Sequence, residues 1–269
     1  MQYDFFINHC KDEKTLCAMP IYTSLKNLGF SVWLDVPQIN VGNDITSKIF
    51  DGIDKSGLFI SIISHNFLKS EWPQKELKTF LEHTEKDGQN SILPIFYKIT
   101  KAEVWPTLPH LSDIAFESIM DENYEKWHDH VICRIVGKFF ENNRINTEWH
   151  KLLVNFASKK IDPKFKIIMM LAERFIYNNE NFALSIIDSY NIAGISIALH
   201  LSEQKEVGKN LYIGFNYLQN VANRIFHNNY SPTFHEMTVA DIIAKFSFVD
   251  LFQNFSYTAN DFSSILAKP

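Results

Sequence analysis

The sequence has no cluster of lysine and arginine. Its 26 basic residues are spread along 269 positions against 31 acidic ones, for a net charge of −5 and a pI near 6.1. A dedicated nucleic-acid binder concentrates positive charge to meet the phosphate backbone, so that class is disfavoured. No uncharged apolar stretch reaches the roughly 18 residues of a membrane span, and Met1-Gln-Tyr-Asp runs straight into strand-like sequence, lacking the basic flank and apolar run of a signal peptide. A soluble, cytoplasmic protein is expected. Cysteine is scarce: Cys10, Cys17 and Cys133 are odd in number and follow no zinc-ligand spacing, which fits free thiols in a reducing compartment. His128-x-His130 is the one close histidine pair and reads as a polar helix surface or loop rather than a ligand pair, so no metal is assigned. Glycine is also scarce, with nine in the whole chain.

What is abundant is apolar material. Hydrophobic residues make up 46% and aromatic residues 14%, including 23 Phe, against 21% charged, so the chain is globular and long enough for two modest domains. Tyr3 to Asn8 reads as a strand, and Leu16, Met19, Leu25 and Leu28 mark a helix that Gly29 ends. Phe30 to Leu34 is a second strand. A loop bearing Pro, Asn and Gly runs from Val36 to Asn43, and Ile45, Ile49, Phe50 and Ile53 mark another helix. Gly57 to Ser64 is apolar nearly throughout, as befits a strand covered by helices on both faces of a parallel sheet. A helix over about Glu71 to Glu85 and a strand over Ser91 to Tyr97 continue the rhythm, and Trp127, Val131, Ile135 and Phe139 mark a closing helix over 122 to 142. Strands alternating with helices imply right-handed βαβ units and a doubly wound, flavodoxin-like sheet.

The strand runs stop after about Arg144. Residues 1 to 145 carry 15 Lys/Arg and 20 Asp/Glu, whereas residues 146 to 269 carry 11 of each. Asp162-Pro163 reads as a helix start, with Phe165, Ile168, Ala172, Phe175 and Ile176 on one face. Leu211, Phe215, Leu218, Ala222 and Ile225 recur in steps of four and three, which suits core packing or a helix-pair seam. Thr238 with Asp241 is read as the cap of a last helix containing Ile242, Ile243 and Phe246. The expected organisation is an α/β domain over 1–144 followed by an all-α domain over 145–269.

Open parallel sheets bind ligands beyond the carboxyl ends of their strands, so the informative residues lie just after Asn8, Leu34, Ser64 and Tyr97. The first of these loops, His9-Cys10-Lys11-Asp12-Glu13, has no glycine, which excludes a dinucleotide fingerprint and a phosphate-cradling loop. A phosphorelay receiver would need an acidic cluster after the first strand and an aspartate after the third, where this chain has Asn8 and Ser64-His65. Trp72-x-x-x-Glu76 places an indole and a carboxylate on one helix face.

Four segments, in order, carry a resemblance: Tyr3-Asp-Phe-Phe-Ile-Asn-His9; Val32-Trp-Leu-Asp35 with the loop to Val41-Gly-Asn-Asp-Ile45; Ser64-His-Asn-Phe-Leu68 with Ser70-Glu-Trp-Pro-Gln-Lys-Glu-Leu77; and Ile92-Leu-Pro-Ile-Phe-Tyr97. Over its first 140 or so residues the chain resembles a TIR (Toll/interleukin-1 receptor) domain of the bacterial NAD-cleaving type. The C-terminal 125 residues resemble no family. Asn8 stands where serine is common in the opening motif.

The resemblance implies cleavage of the nicotinamide–ribose bond of NAD⁺, bound as substrate with no separate cofactor. The products would be nicotinamide with ADP-ribose or a cyclic isomer, in bacterial antiphage defence. It makes Glu76 the catalytic residue, its carboxylate stabilising positive charge developing on the ribose. It places Phe6, Asn8, Trp33, Asp35 and Trp72 around the nucleotide. Each aromatic also has a plain reading, Phe6 and Trp33 as core and Trp72 as a residue packing on the sheet, and Asp35 either contacts ribose or orients its turn. The loop Val36 to Asp44 would pack on a neighbouring TIR domain and complete the site, so self-assembly would switch the enzyme on. The helical half would then bind an activating ligand, a partner or its own copy. The rival reading is a non-enzymatic scaffold signalling through TIR contacts.

Overall fold

Apolar runs without polar alternation form the strands of the computed structural model, which describes residues 3–34, 53, 56–87, 92–142 and 186–254. The chain divides into two compact units, residues 1–135 and 136–269. In the first, β1 (Tyr3–Asn8), β2 (Val32–Leu34), β3 (Ser56–Ile63), β4 (Ile92–Tyr97) and β5 (Glu117–Ile119) pair in parallel in the order β2-β1-β3-β4-β5. This is the flavodoxin-like order, and its direction reverses between β1 and β3, which opens a crevice beyond their carboxyl ends.

Both faces of the sheet are buried. Phe6, Trp33, Phe59, Ile63, Ile92 and Phe96 share one core with Leu77 and Phe80 of the helix α3 (Glu71–Asp87). The alternate residues Phe5, Ile7, Leu58, Ile60, Ile62 and Ile95 are buried as completely. Helices α1 (Met19–Leu28) and α5 (Tyr124–Asn142) meet through Ser24 Oγ and His128 Nε2 at 2.6 Å. Two short helices, α2 (His65–Lys69) and α4 (Lys101–Val104), follow β3 and β4.

Gly29 ends α1 as expected. Its φ of 107° lets the N–H of Gly29 reach Lys26 O and that of Phe30 reach Leu25 O, a left-handed cap that a side chain would strain. The start of that helical segment differs from the periodicity. Lys11–Glu13 is a 3₁₀ turn and Lys14–Ala18 a π turn, so the face shifts: Cys17, Ala18, Ile21 and Leu25 are buried, while Leu16 and Met19 are 59% and 38% exposed. β5 is a strand that the hydrophobic pattern does not announce. It is three residues long at the sheet edge, and Glu117 pairs there with Arg134 Nε at 2.6 Å and His130 Nε2 at 3.0 Å. His128 and His130 thus serve separate contacts on α5.

In the second unit, α6 (Ile186–Ser202), α7 (Lys209–Asn228) and α8 (Phe234–Asn254) pack together. Leu211, Leu218 and Ala222 are core residues, and Phe215 stacks on Tyr190 with centroids 5.0 Å apart. Gly214 marks a close helix crossing, because a Cβ there would lie 2.7 Å from Ile243 Cγ2. Asp250 bridges α8 to α6, accepting from Ser196 Oγ at 2.5 Å and bonding His200 Nε2 at 2.8 Å. No helix among the described residues is long and apolar enough to cross a membrane. Asp35, the loop Val36 to Asp44, the expected helix marked by Ile45, Ile49, Phe50 and Ile53 except for Ile53 itself, the 144/145 boundary and the helix after Asp162-Pro163 lie outside the described residues.

The expected Thr238 cap is a correction: Thr238 lies inside α8, donating its hydroxyl to Phe234 O. The helix begins five residues earlier with Thr233-x-x-Glu236, where Glu236 accepts from the Thr233 N–H at 2.8 Å and donates its own N–H to Thr233 Oγ1 at 3.2 Å. Glutamate reaches back where aspartate is too short. Glu236 is also 2% exposed and holds Arg224 Nη2 at 2.7 Å and Tyr230 Oη at 2.8 Å. Truncating it strands a partly buried guanidinium, so Glu236→Ala should cost about 3 kcal/mol in denaturant unfolding, whereas Thr238→Ala should stay within about 0.5 kcal/mol. Equal losses in the two variants would contradict this capping assignment.

Candidate functional site

The crevice beyond β1 and β3 is built by two chain segments that hydrogen bonds join. β1 ends in Asn8, 1% exposed, whose Nδ2 donates to Pro73 O at 2.9 Å in the first turn of α3. A carbonyl has two lone pairs, so Pro73 accepts this bond without giving up its place in the helix, and proline is tolerated there because early helical N–H groups have no partner to lose. Two further contacts run parallel: Cys10 Sγ lies 3.3 Å from Ser70 Oγ, and Asn66 Nδ2 donates to Glu13 Oε1 at 3.2 Å.

The second segment is shaped by its own caps. Ser64 accepts the Phe67 N–H at 3.0 Å and so starts α2 directly at the end of β3. The carbonyls left at the end of α2 are met from α3: Gln74 Nε2 lies 3.3 Å from Phe67 O, 3.0 Å from Leu68 O and 3.1 Å from Ser70 O. The Ser70–Trp72 corner is therefore held on both sides, and α3 leaves it in a fixed direction.

On α3, Leu77 and Phe80 face the sheet core, and Glu76 is 6% exposed beside them. Trp72, one turn earlier, is 41% exposed, and Lys75 Nζ sits 5.6 Å from its ring centroid. The spacing puts the indole, the ammonium and the carboxylate within one turn of each other. A carboxylate held in low dielectric is suited to stabilising a developing cation.

Phe6 and Trp33 lie in the core. They are register partners on β1 and β2, 1% and 6% exposed, with stacked rings 6.2 Å apart, and the stack continues through Phe59 to Phe80. Asn8 lies at the crevice, and its register partner on β3 is Ser61. Asn8 Oδ1 and Ser61 Oγ are buried without a hydrogen-bond partner among the described residues. The structure brings Asn8 together with the Trp72–Glu76 turn and sets the Phe6–Trp33 pair beneath it, while Asp35 lies outside the described residues.

Three supporting residues escaped the sequence reading. Glu13, 4% exposed, sits in a charged run that looks like a solvated helix start. Gln74 was legible only as the middle of the Trp72 to Glu76 stretch. Glu103 joins the loops after β3 and β4: Thr100 donates its hydroxyl at 2.7 Å and its N–H at 2.9 Å, and His65 Nε2 lies at 3.0 Å, which hold its carboxyl down at about 2. The signal was Thr100-x-x-Glu103, the sequence signature of a capping box. Gln74→Ala should destabilise the first unit by about 1 to 2 kcal/mol. Gln74→Glu should cost more, because a carboxylate has no hydrogen to offer three carbonyls. Denaturant unfolding checks this, and two variants as stable as the parent would refute the role given to Gln74.

Comparison with known proteins gives this arrangement a family. Residues 5–131 match the model of the TIR domain, and the C-terminal half has no family match. The chain is 38% identical over 112 residues to the 2' cyclic ADP-D-ribose synthase BtTIR of Bacteroides thetaiotaomicron, covering 42% of this chain and 39% of that one. It is 36% identical over 111 residues to the NAD(+) hydrolase TcpC of Escherichia coli O6:H1, covering 41% and 36%. It is 35% identical over 112 residues to the 2' cyclic ADP-D-ribose synthase AbTIR of Acinetobacter baumannii, covering 42% and 41%. The matches thus span about two fifths of these relatives' length. Residues 5–131 of the chain are a TIR domain.

Proposed function

We propose that the chain cleaves NAD⁺ at the nicotinamide–ribose bond, with Glu76 as the catalytic residue. The observation that carries this reading is the buried Glu76 one turn from the half-exposed Trp72, on the helix whose first turn Asn8 holds at the carboxyl end of β1. The names of the related proteins, NAD(+) hydrolases and cyclic ADP-D-ribose synthases, support the same chemistry.

Nicotinamide in NAD⁺ is a cationic leaving group. When the bond from ribose C1′ to the ring nitrogen breaks, its electron pair goes to that nitrogen, nicotinamide leaves neutral, and the positive charge passes to the ribose. A fixed carboxylate near the ribose stabilises that charge, and no general acid is required, so one glutamate suffices where ordinary glycosidases use a pair. Capture by water, with loss of a proton, gives ADP-ribose. Capture by a hydroxyl of the same molecule gives a cyclic isomer.

Trp72 offers an aromatic wall for the nicotinamide ring, and Asn8 holds the α3 corner in place from the side of β1. The loop Val36 to Asp44 packs on a neighbouring TIR domain, so that activity rises with self-assembly, and the helical unit carries the trigger, a ligand or a partner protein. Antiphage defence is the setting that the family resemblance implies for such an enzyme.

The test is NAD⁺ consumption and nicotinamide release by the full chain at high concentration, with products resolved chromatographically. Glu76→Gln keeps the side-chain volume and removes the charge, and should lower turnover about a thousandfold. Full activity in Glu76→Gln would remove Glu76 from the mechanism, and no turnover in assembled parent protein would favour a scaffold.

A further inference from the structure

Lys75 precedes the proposed catalytic glutamate, and its ammonium occupies the face of Trp72 at 5.6 Å from the ring centroid. That position is informative because the proposed substrate is itself an aromatic cation. An indole face attracts a cation through its quadrupole, and Lys75 shows that this face is within reach of one. Both Trp72 and Lys75 are exposed, so no burial of the pair forces the contact.

We infer that Lys75 is a rate-setting residue that repels the pyridinium of bound NAD⁺ in the ground state and releases that repulsion as the bond to ribose breaks. The inference rests on the reading of the chain as an NAD⁺-cleaving enzyme. Whichever face of the indole the nicotinamide ring takes, its charge and the Lys75 ammonium share one indole. Before cleavage both are cations and repel each other. During cleavage the electron pair of the C1′–N bond moves onto the ring nitrogen, so the ring becomes neutral while the ribose becomes positive. The repulsion at Lys75 weakens as the positive charge moves away from it onto the ribose, and the attraction to Glu76 grows. Adjacent residues of opposite charge therefore bracket the bond, Lys75 on the side that loses positive charge and Glu76 on the side that gains it. Only interactions that differ between ground and transition state change the rate of the chemical step, and this pair differs at both ends.

A lysine that repels the bound ring changes kcat and KM with a sign that other roles for a lysine do not share. Removing the charge relieves the ground state more than the transition state, so Lys75→Gln should lower kcat and KM together, KM by about three- to tenfold and kcat by no more than KM, with kcat/KM no lower than the parent's. Lys75→Arg should keep both parent values. Binding to the Glu76→Gln background gives a readout independent of turnover. There, Lys75→Gln should bind carbocyclic NAD⁺, which keeps the cationic ring, three- to tenfold more tightly, and should bind NADH, whose ring is neutral, as the background protein does.

A weaker affinity for both dinucleotides in the Lys75→Gln variant would make Lys75 a partner of the pyrophosphate and overturn the inference, as would a fall in kcat/KM with KM unchanged. Parent protein that cleaves NAD⁺ while Lys75→Gln leaves kcat, KM and both affinities unaltered overturns this inference alone. Parent protein that neither binds nor cleaves NAD⁺ overturns the reaction and the inference with it.

Discussion

A parallel sheet with helices on both sides has no wet face. In this chain nearly every side chain along β1, β3 and β4 is buried, and the few polar ones inside are costly, as Asn8 Oδ1 and Ser61 Oγ illustrate. Polar chemistry is therefore pushed to the strand ends. Where the strand order reverses between β1 and β3, two loops diverge and leave a crevice, and the residues that matter for function are those that end one strand and begin the next helix.

That constraint makes the crevice depend on how α3 is seated. Its inner side is fixed by Leu77 and Phe80 against the aromatic stack that runs through Phe59, Phe6 and Trp33. Its outer corner is fixed by the Asn8 amide on Pro73 O and by Gln74 on the carbonyls ending α2. Burial sets the depth and hydrogen bonds set the angle. Glu76 and Trp72 inherit both, with the carboxylate tucked against the core and the indole turned toward solvent.

The first four strands and their order of appearance were legible because each is a short apolar run, rich in Phe and Ile, bounded by turn or polar residues, too short for a helix of ordinary length. Gly29 was legible as a helix end because few other residues take its backbone conformation. Glu76 was singled out by its spacing from Trp72 and by the family pattern around it, but its burial was not legible, since a glutamate on such a helix reads as solvated. β5 was not, since three residues at a sheet edge held by Glu117 carry no hydrophobic signature. Leu16 misled because a π turn shifted the helical face, and Thr238 misled because Thr233-x-x-Glu236 is the better cap and lies just upstream. Trp33 could equally have faced a ligand or the core on sequence grounds, and its burial is decided by the ring of Phe6 across the strand pair, which no local pattern encodes.

The claim on which the account stands is that NAD⁺ occupies the crevice between the ends of β1 and β3, against α3. Backbone hydrogen exchange of the Glu76→Gln protein, with and without saturating NAD⁺, tests it most directly because it reports location without requiring turnover. NAD⁺ bound there should add protection over Asn8 to Cys10 and Ser64 to Lys75, with little change in α6 to α8. Protection confined to other segments would contradict it.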